Sequence, residues 1–139
     1  MEKKKVKVEV GYEGGNYSAA ATFGDFPGVV VVTRPDYPRL QLAVRETVRE
    51  HIAACVEDGE DVPAYLSAGD YDFEWELSTQ ALIRAAEPYT SMAAIARASG
   101  INQRQLSHYA NGLKQPRAPQ RRRIVEGLHL IGRNLMAIV

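Results

Sequence analysis

Alternation is the first pattern along the chain. Val6, Val8, Val10 and Tyr12 fall on one side and Lys5, Lys7, Glu9 and Gly11 on the other, the period of a half-buried strand. The segment 13-EGGN-16 tolerates positive φ and predicts a hairpin turn. The return strand, 17-YSAAATF-23, places Tyr17, Ala19, Ala21 and Phe23 on one face. After 24-GDFPG-28, the run 29-VVVVT-33 is apolar on both sides, which predicts a central or covered strand. Pro35 and Pro38 bracket a turn that stops it. From Leu40 to Val56 the period becomes helical, with Leu40, Val44, Val48, His51, Ile52 and Cys55 in one stripe. A loop, 57-EDGEDVP-63, leads to 71-YDFEWEL-77, the clearest strand: Tyr71, Phe73, Trp75 and Leu77 face one way and Asp72, Glu74 and Glu76 the other. This half reads β-β-β-α-β, one helix covering one face of a sheet.

From residue 79 onward the pattern is helical only. The segment 79-TQALIRAAE-87 ends at Pro88, and Thr90 or Ser91 can cap the next helix, MAAIARAS, with Met92, Ile95 and Ala96 inward. Gly100 allows a turn through positive φ. Asn102 caps a further helix, QRQLSHYAN, anchored by Ile101, Leu106 and Tyr109 and ended by Gly112. The segment 119-PQRRRIVEGLHLIGRNLMAI-138 is amphipathic, with Ile124, Leu128, Ile131, Leu135 and Ile138 on one side. The fold class expected is therefore α+β: a sheet-and-helix domain over residues 1–78, then an all-α domain over residues 79–139.

Charge sharpens the division. The chain has 17 Lys/Arg and 17 Asp/Glu in 139 residues, so its net charge is zero. Residues 1–78 hold eight basic and fifteen acidic side chains, a balance of −7; residues 79–139 hold nine and two, a balance of +7. Two modules with oppositely charged partners account for that split: a polyanion for the second, something basic for the first. No apolar run is long enough for a membrane span, and MEKKKVKVEV lacks the apolar stretch of a signal peptide. With a single cysteine, Cys55, no internal disulfide forms, which fits a reducing cytoplasm.

Catalytic chemistry has weak support. Asp25, Glu46, Asp70 and Asp72 could gather round a divalent metal, as two-metal nucleases require, but no spacing ties them together, and solvated strand ends explain them as well. His51 sits on the apolar stripe of its helix and reads as a core or edge residue. Cys55 has no motif of an activated thiol, and His108 and His129 are not spaced with cysteine as zinc ligands are. Trp75 is most simply core. No catalytic residue, metal or cofactor is expected.

Nucleic-acid chemistry has stronger support. Two short helices joined by an Ala-Ser-Gly turn and covered by a third form the helix-turn-helix plan. The second helix presents its N-terminal residues to a major groove. Gln103 and Gln105 can be bidentate to adenine and Arg104 to guanine, while Asn102, Ser107 and His108 reach bases or phosphates. Lys114, Arg117, Arg121, Arg122 and Arg123 follow and would meet the phosphate backbone. One such unit spans about half a helical turn of DNA, so at least a homodimer, or a higher even oligomer, is expected. The long stripe from Ile124 to Ile138 is the candidate interface.

The segment SMAAIARASGINQRQLSHYANGLKQP resembles the Cro/repressor-type helix-turn-helix. The two halves in this order resemble a HicB-type antitoxin, through the strand entering Gly11–Tyr12, 25-DFPG-28, the helix after it, and the later RIVEGLHLIG. Where that family has a Gly-Asp-Thr stretch before its first helix, this chain has 33-TRPDYPRLQLAV-44. The resemblance implies that the first half is a truncated, partial ribonuclease-H-like fold that binds and silences a small basic HicA-type RNA-cleaving toxin. It also implies that the second half represses the operon by binding operator DNA. Glu57, Asp58, Glu60 and Asp61 are the candidate toxin-binding residues, because a basic partner is met by an acidic surface. Two other functions fit the same residues: a stand-alone repressor with an N-terminal sensing or oligomerisation domain, and a metal-dependent nuclease.

Overall fold

The computed structural model describes residues 3–139, which form four strands and six helices, an α+β architecture with a mixed sheet. By its contacts the chain divides into two units, Met1–Ser78 and Thr79–Val139.

In the first unit, β1 (Lys4–Glu13) and β2 (Asn16–Phe23) form a hairpin. Gly14 and Gly15 occupy its two central positions at φ 60° and 83°, a conformation that side chains with a Cβ resist. β3 (Phe26–Arg34) pairs antiparallel with β2, and β4 (Tyr71–Leu77) lies parallel to β1, giving the order β3-β2-β1-β4. Helix α1 (Tyr37–Glu57) packs on one face, chiefly over β3 and β2. Val6, Val8 and Ala21 from the sheet and Leu40, Val44 and Val48 from the helix make the buried layer between them. A short helix, α2 (Ala64–Ser67), precedes β4. Its Tyr65 hydroxyl donates to Asp25 Oδ1 at 3.0 Å, tying α2 to the β2–β3 turn.

Three expectations change here. The strand around 29-VVVVT-33 is an edge strand covered on one face only: Val29 and Val31 are 55% and 66% exposed on the sheet face away from α1, while Val30 and Val32 are buried. Pro27 and a register shift at Thr22/Phe23 belong to that edge, where a missing N–H costs no ladder bond. Next, Pro38 opens the helix instead of ending a turn. Asp36 caps α1, its Oδ1 accepting from the Arg39 N–H at 2.8 Å, and proline sits in the first turn, where no N–H partner is needed. Last, Trp75 is half-buried, because β4 is the opposite edge and α1 covers it incompletely.

The second unit has four helices: α3 (Thr79–Ala86), α4 (Met92–Ser99), α5 (Gln103–Ala110) and α6 (Ala118–Ile138). Ile83, Ile95, Ile101, Leu106, Tyr109, Ala110 and Ile124 form its core. Among the described residues no helix is long and apolar enough to cross a membrane.

Candidate nucleic-acid interface

The α4–α5 pair owes its geometry to two caps and one glycine. Ser91 Oγ accepts from the Ala94 N–H at 3.0 Å and starts α4. Gly100 ends it at φ 72°, its N–H donating to Ala96 O. Ile101 is buried in the turn, and Asn102 Oδ1 then accepts from the Gln105 N–H at 2.8 Å to start α5. At the far end Gly112 and Leu113 donate to Tyr109 O and His108 O, the paired bonds of a Schellman C-terminus.

The candidate DNA-binding residues separate into three groups. Gln103 and Arg104 are exposed in the first turn of α5, and Lys114 and Arg117 are exposed in the connection to α6. Asn102, Gln105, Ser107 and His108 are placed less freely. Asn102 is exposed, but its carbonyl oxygen is held by the cap. Gln105 is half-buried and donates to the Tyr109 hydroxyl at 2.8 Å. Ser107 and His108 are half-buried, and the Ser107 carbonyl accepts from the Asn111 side chain at 2.9 Å. The third group points the other way. Arg121, expected at the phosphate backbone, is half-buried and donates to Thr79 Oγ1 at 2.9 Å. Arg123, expected there too, donates to Ser99 O at 3.2 Å and to Gly100 O at 2.8 Å, satisfying carbonyls at the end of α4 that the helix cannot.

Two residues that hold this surface were not foreseen. Arg84 on α3 donates through Nε to Ala110 O at 3.0 Å and through Nη2 to Asn111 Oδ1 at 2.8 Å, while Nη1 meets Glu87 at 2.7 Å. It therefore pins the last turn of α5. Gly127 on α6 is buried against the backbone of Ser99; a Cβ there would lie 2.9 Å from Ser99 N. The sequence signal for Gly127 was a glycine inside an otherwise good helix. Arg84 gave none, since any arginine in an amphipathic helix reads as solvated.

In the first unit the acidic quartet lies together and exposed. Glu57 ends α1, Asp58 is its C-cap, and Glu60 and Asp61 follow the αL residue Gly59. The turn closes the helix, with Gly59 and Glu60 donating to Val56 O and Cys55 O. Hydrogen bonding to the Glu60 carboxylate and then burial push the Cys55 thiol up, away from the thiolate a nucleophile needs. His51 is stacked on Phe23, with centroids 5.6 Å apart. Among the described residues no three His, Cys, Asp or Glu side chains converge as metal ligands would. Asp25 is tied instead to Tyr65, and Asp72 lies 3.9 Å from Lys5.

No family model matches the chain, and no curated protein or solved structure matches it either.

Proposed function

We propose that the chain is a DNA-binding repressor with a protein-binding first unit, the organisation of a HicB-type antitoxin. The observation that carries the DNA reading is the exposed Gln103–Arg104 pair in the first turn of α5. That helix follows α4 across a one-glycine turn, in a unit whose balance is +7. An α-helix with its side chains is about 10–12 Å across, a fit for a major groove about 12 Å wide. Read as a helix-turn-helix, α5 sets Arg104 against guanine and Gln103 against adenine, while Lys114, Arg117 and the exposed Arg122 lie on phosphates.

The first unit, read as a truncated ribonuclease-H-like fold, serves as a binding surface for a small basic HicA-type toxin. Its support is the −7 balance and the exposed carboxylates at Glu57–Asp61. Dimerisation is assigned to the end of α6, where Leu135, Met136 and Ile138 are 54%, 80% and 78% exposed. A two-fold pairing there gives the two recognition helices their half-sites.

The experiment has two arms. Duplexes selected from a random pool by the full chain are titrated with wild type and Arg104→Ala. The variant is expected to lose about 1–3 kcal/mol on the selected site and little on unrelated DNA; equal affinity would remove α5 from the groove. Co-expression with the small protein encoded beside this chain is expected to restore growth and give a copurifying complex. A harmless, non-binding neighbour ends the antitoxin reading and leaves the repressor.

A further inference from the structure

The sheet ends on two edges of different character. At β3 the edge carries Pro27 and a register shift, devices that blunt strand pairing. At β4 it carries neither. Tyr71–Leu77 pairs in unbroken register with Lys4–Val10 along its inner side, and no strand pairs with its outer side among the described residues. A seven-residue edge of this kind is a template for a further strand.

Its two faces differ sharply in chemistry. Towards the open side of the sheet stand Asp72, Glu74 and Glu76, all exposed. The neighbouring positions of β1 supply Lys5, Lys7 and Glu9, so this patch holds four carboxylates and two ammonium groups. Lys7 already serves Glu76 at 3.3 Å and Glu9 at 3.6 Å. Towards α1 stand Tyr71, Phe73 and Trp75, an aromatic row with centroids 5.5–5.7 Å apart and each ring half-exposed. Arg45 of α1 lies 5.1 Å from the Phe73 centroid and 5.7 Å from that of Trp75, and Tyr37 at the start of α1 meets Trp75 edge-on at 6.2 Å, so the helix covers the row only in part. Beside Tyr71 the row opens into a cavity of about 420 Å³ lined by Ile52, Val56 and Leu66. Half-exposed Trp and Tyr beside Arg is the composition of energetic centres in protein interfaces.

We propose that the outer edge of β4 is a strand-addition site for a partner segment in which Lys or Arg alternates with bulky apolar residues. The period of two sets every second side chain of an added strand against Asp72, Glu74 and Glu76, and the others over Tyr71, Phe73 and Trp75. A second copy of β4 is a poor occupant: antiparallel pairing about Glu74 puts Glu74 against itself and Asp72 against Glu76, and like charges directly opposite destabilise. The site rests on the reading of the first unit as a protein-binding module and moves its centre from the Glu57–Asp61 loop to the sheet edge.

The test uses the full chain and a fluorescent heptapeptide, Lys-Val-Lys-Phe-Lys-Val-Lys, followed by anisotropy. A peptide of the same composition in blocks, and the alternating peptide N-methylated at every second amide, are the controls. The alternating peptide is expected to bind about tenfold tighter than either control, and Glu74→Lys to weaken it about tenfold. Glu74→Gln, which adds no charge opposite Lys7, shows a smaller loss in the same direction. Equal binding of the block peptide, indifference to N-methylation, or unchanged binding by both Glu74 variants overturns the proposal. The same Glu74 variants in the growth-rescue assay separate it from the antitoxin reading. Rescue untouched by them removes the edge site and leaves an antitoxin; peptide binding without a toxic neighbour leaves the site and removes the antitoxin.

Discussion

Helix α6 contains two glycines that make opposite predictions under the same substitution. At Gly127 an added Cβ would stand 2.9 Å from Ser99 N and 3.1 Å from both Ser99 Cα and Cβ. Two of those atoms are backbone, and Ser99 cannot easily give. Its hydroxyl accepts from the Ile101 N–H at 3.3 Å, and its carbonyl is held by Arg123. At Gly132 nothing lies within 4 Å. Alanine gains about 1 kcal/mol of helix propensity at either position. At Gly132 that gain stands alone, whereas at Gly127 overpacking of about 1–3 kcal/mol opposes it. Gly127→Ala is therefore destabilising by about 1 kcal/mol, Gly132→Ala stabilising by up to about 1, and the two differ by about 2 kcal/mol. For a unit of this size that is a separation of about 8–16 °C in midpoint. Thermal unfolding of the full chain followed by helical circular dichroism reads the difference, with amide exchange in α4 and α6 locating it. A Gly127→Ala midpoint equal to or above that of Gly132→Ala would refute the close approach of α6 to the end of α4.

Arg123→Ala removes charged donors from Ser99 O and Gly100 O and is expected to cost about 1–3 kcal/mol by urea denaturation. Arg122→Ala, at an exposed neighbour, stays within about 0.5 kcal/mol and is expected to act instead on the proposed DNA binding. Leu135→Asp combined with Ile138→Asp is expected to yield monomers in sedimentation without loss of helicity, since both side chains are exposed. A dimer surviving both changes moves the interface elsewhere. Seven basic side chains of the second unit are exposed; Arg123 is held by Ser99 O and Gly100 O, which leaves Arg97, Arg104, Lys114, Arg117, Arg122 and Arg133 for phosphate. The plot of log affinity against log salt is therefore expected to fall no more steeply than about −5 per protomer on duplex DNA. A slope near −8 would require Arg84, Arg121 and Arg123 to leave their partners.

Periodicity was most informative where one face alone is buried. The alternation of β1 and β2 and the stripe of α1 translate directly into Val6, Val8, Ala21, Val44 and Val48 at the core. The run 29-VVVVT-33 failed for the converse reason. Four consecutive valines carry no period, and burial on both faces was the simplest reading, yet half of them are solvent-facing on an edge. Helix α2 has four residues, fewer than two turns, so no stripe could announce it. The start of α1 was legible in principle, because aspartate followed two residues later by proline is a helix-start signature. A second proline, Pro35, made the same segment look like a turn.

The candidate site divides along the same line. Asn102 and Gly100 could be assigned from the sequence because caps and αL turns depend on local residues, and each is found in its expected role; of the two caps open for α4, Thr90 and Ser91, it is Ser91 that serves. The arginines could not, because an arginine's role depends on what its helix packs against. With Ile124 and Gly127 directed inward, Arg123 is left beside the end of α4 and Arg121 beside Thr79, while Arg122 between them is exposed. The sequence run RRR thus reads as one basic patch but divides into two structural donors and one available cation. The +7 balance survives this division, because an arginine bonded to a carbonyl keeps its charge and still contributes to the long-range field that steers a polyanion. What does not survive is the inference from that balance to contacts. The field draws on all nine basic side chains, whereas on the proposed DNA-binding reading the salt slope would follow the six exposed ones that are not held, as Arg123 is, by backbone carbonyls.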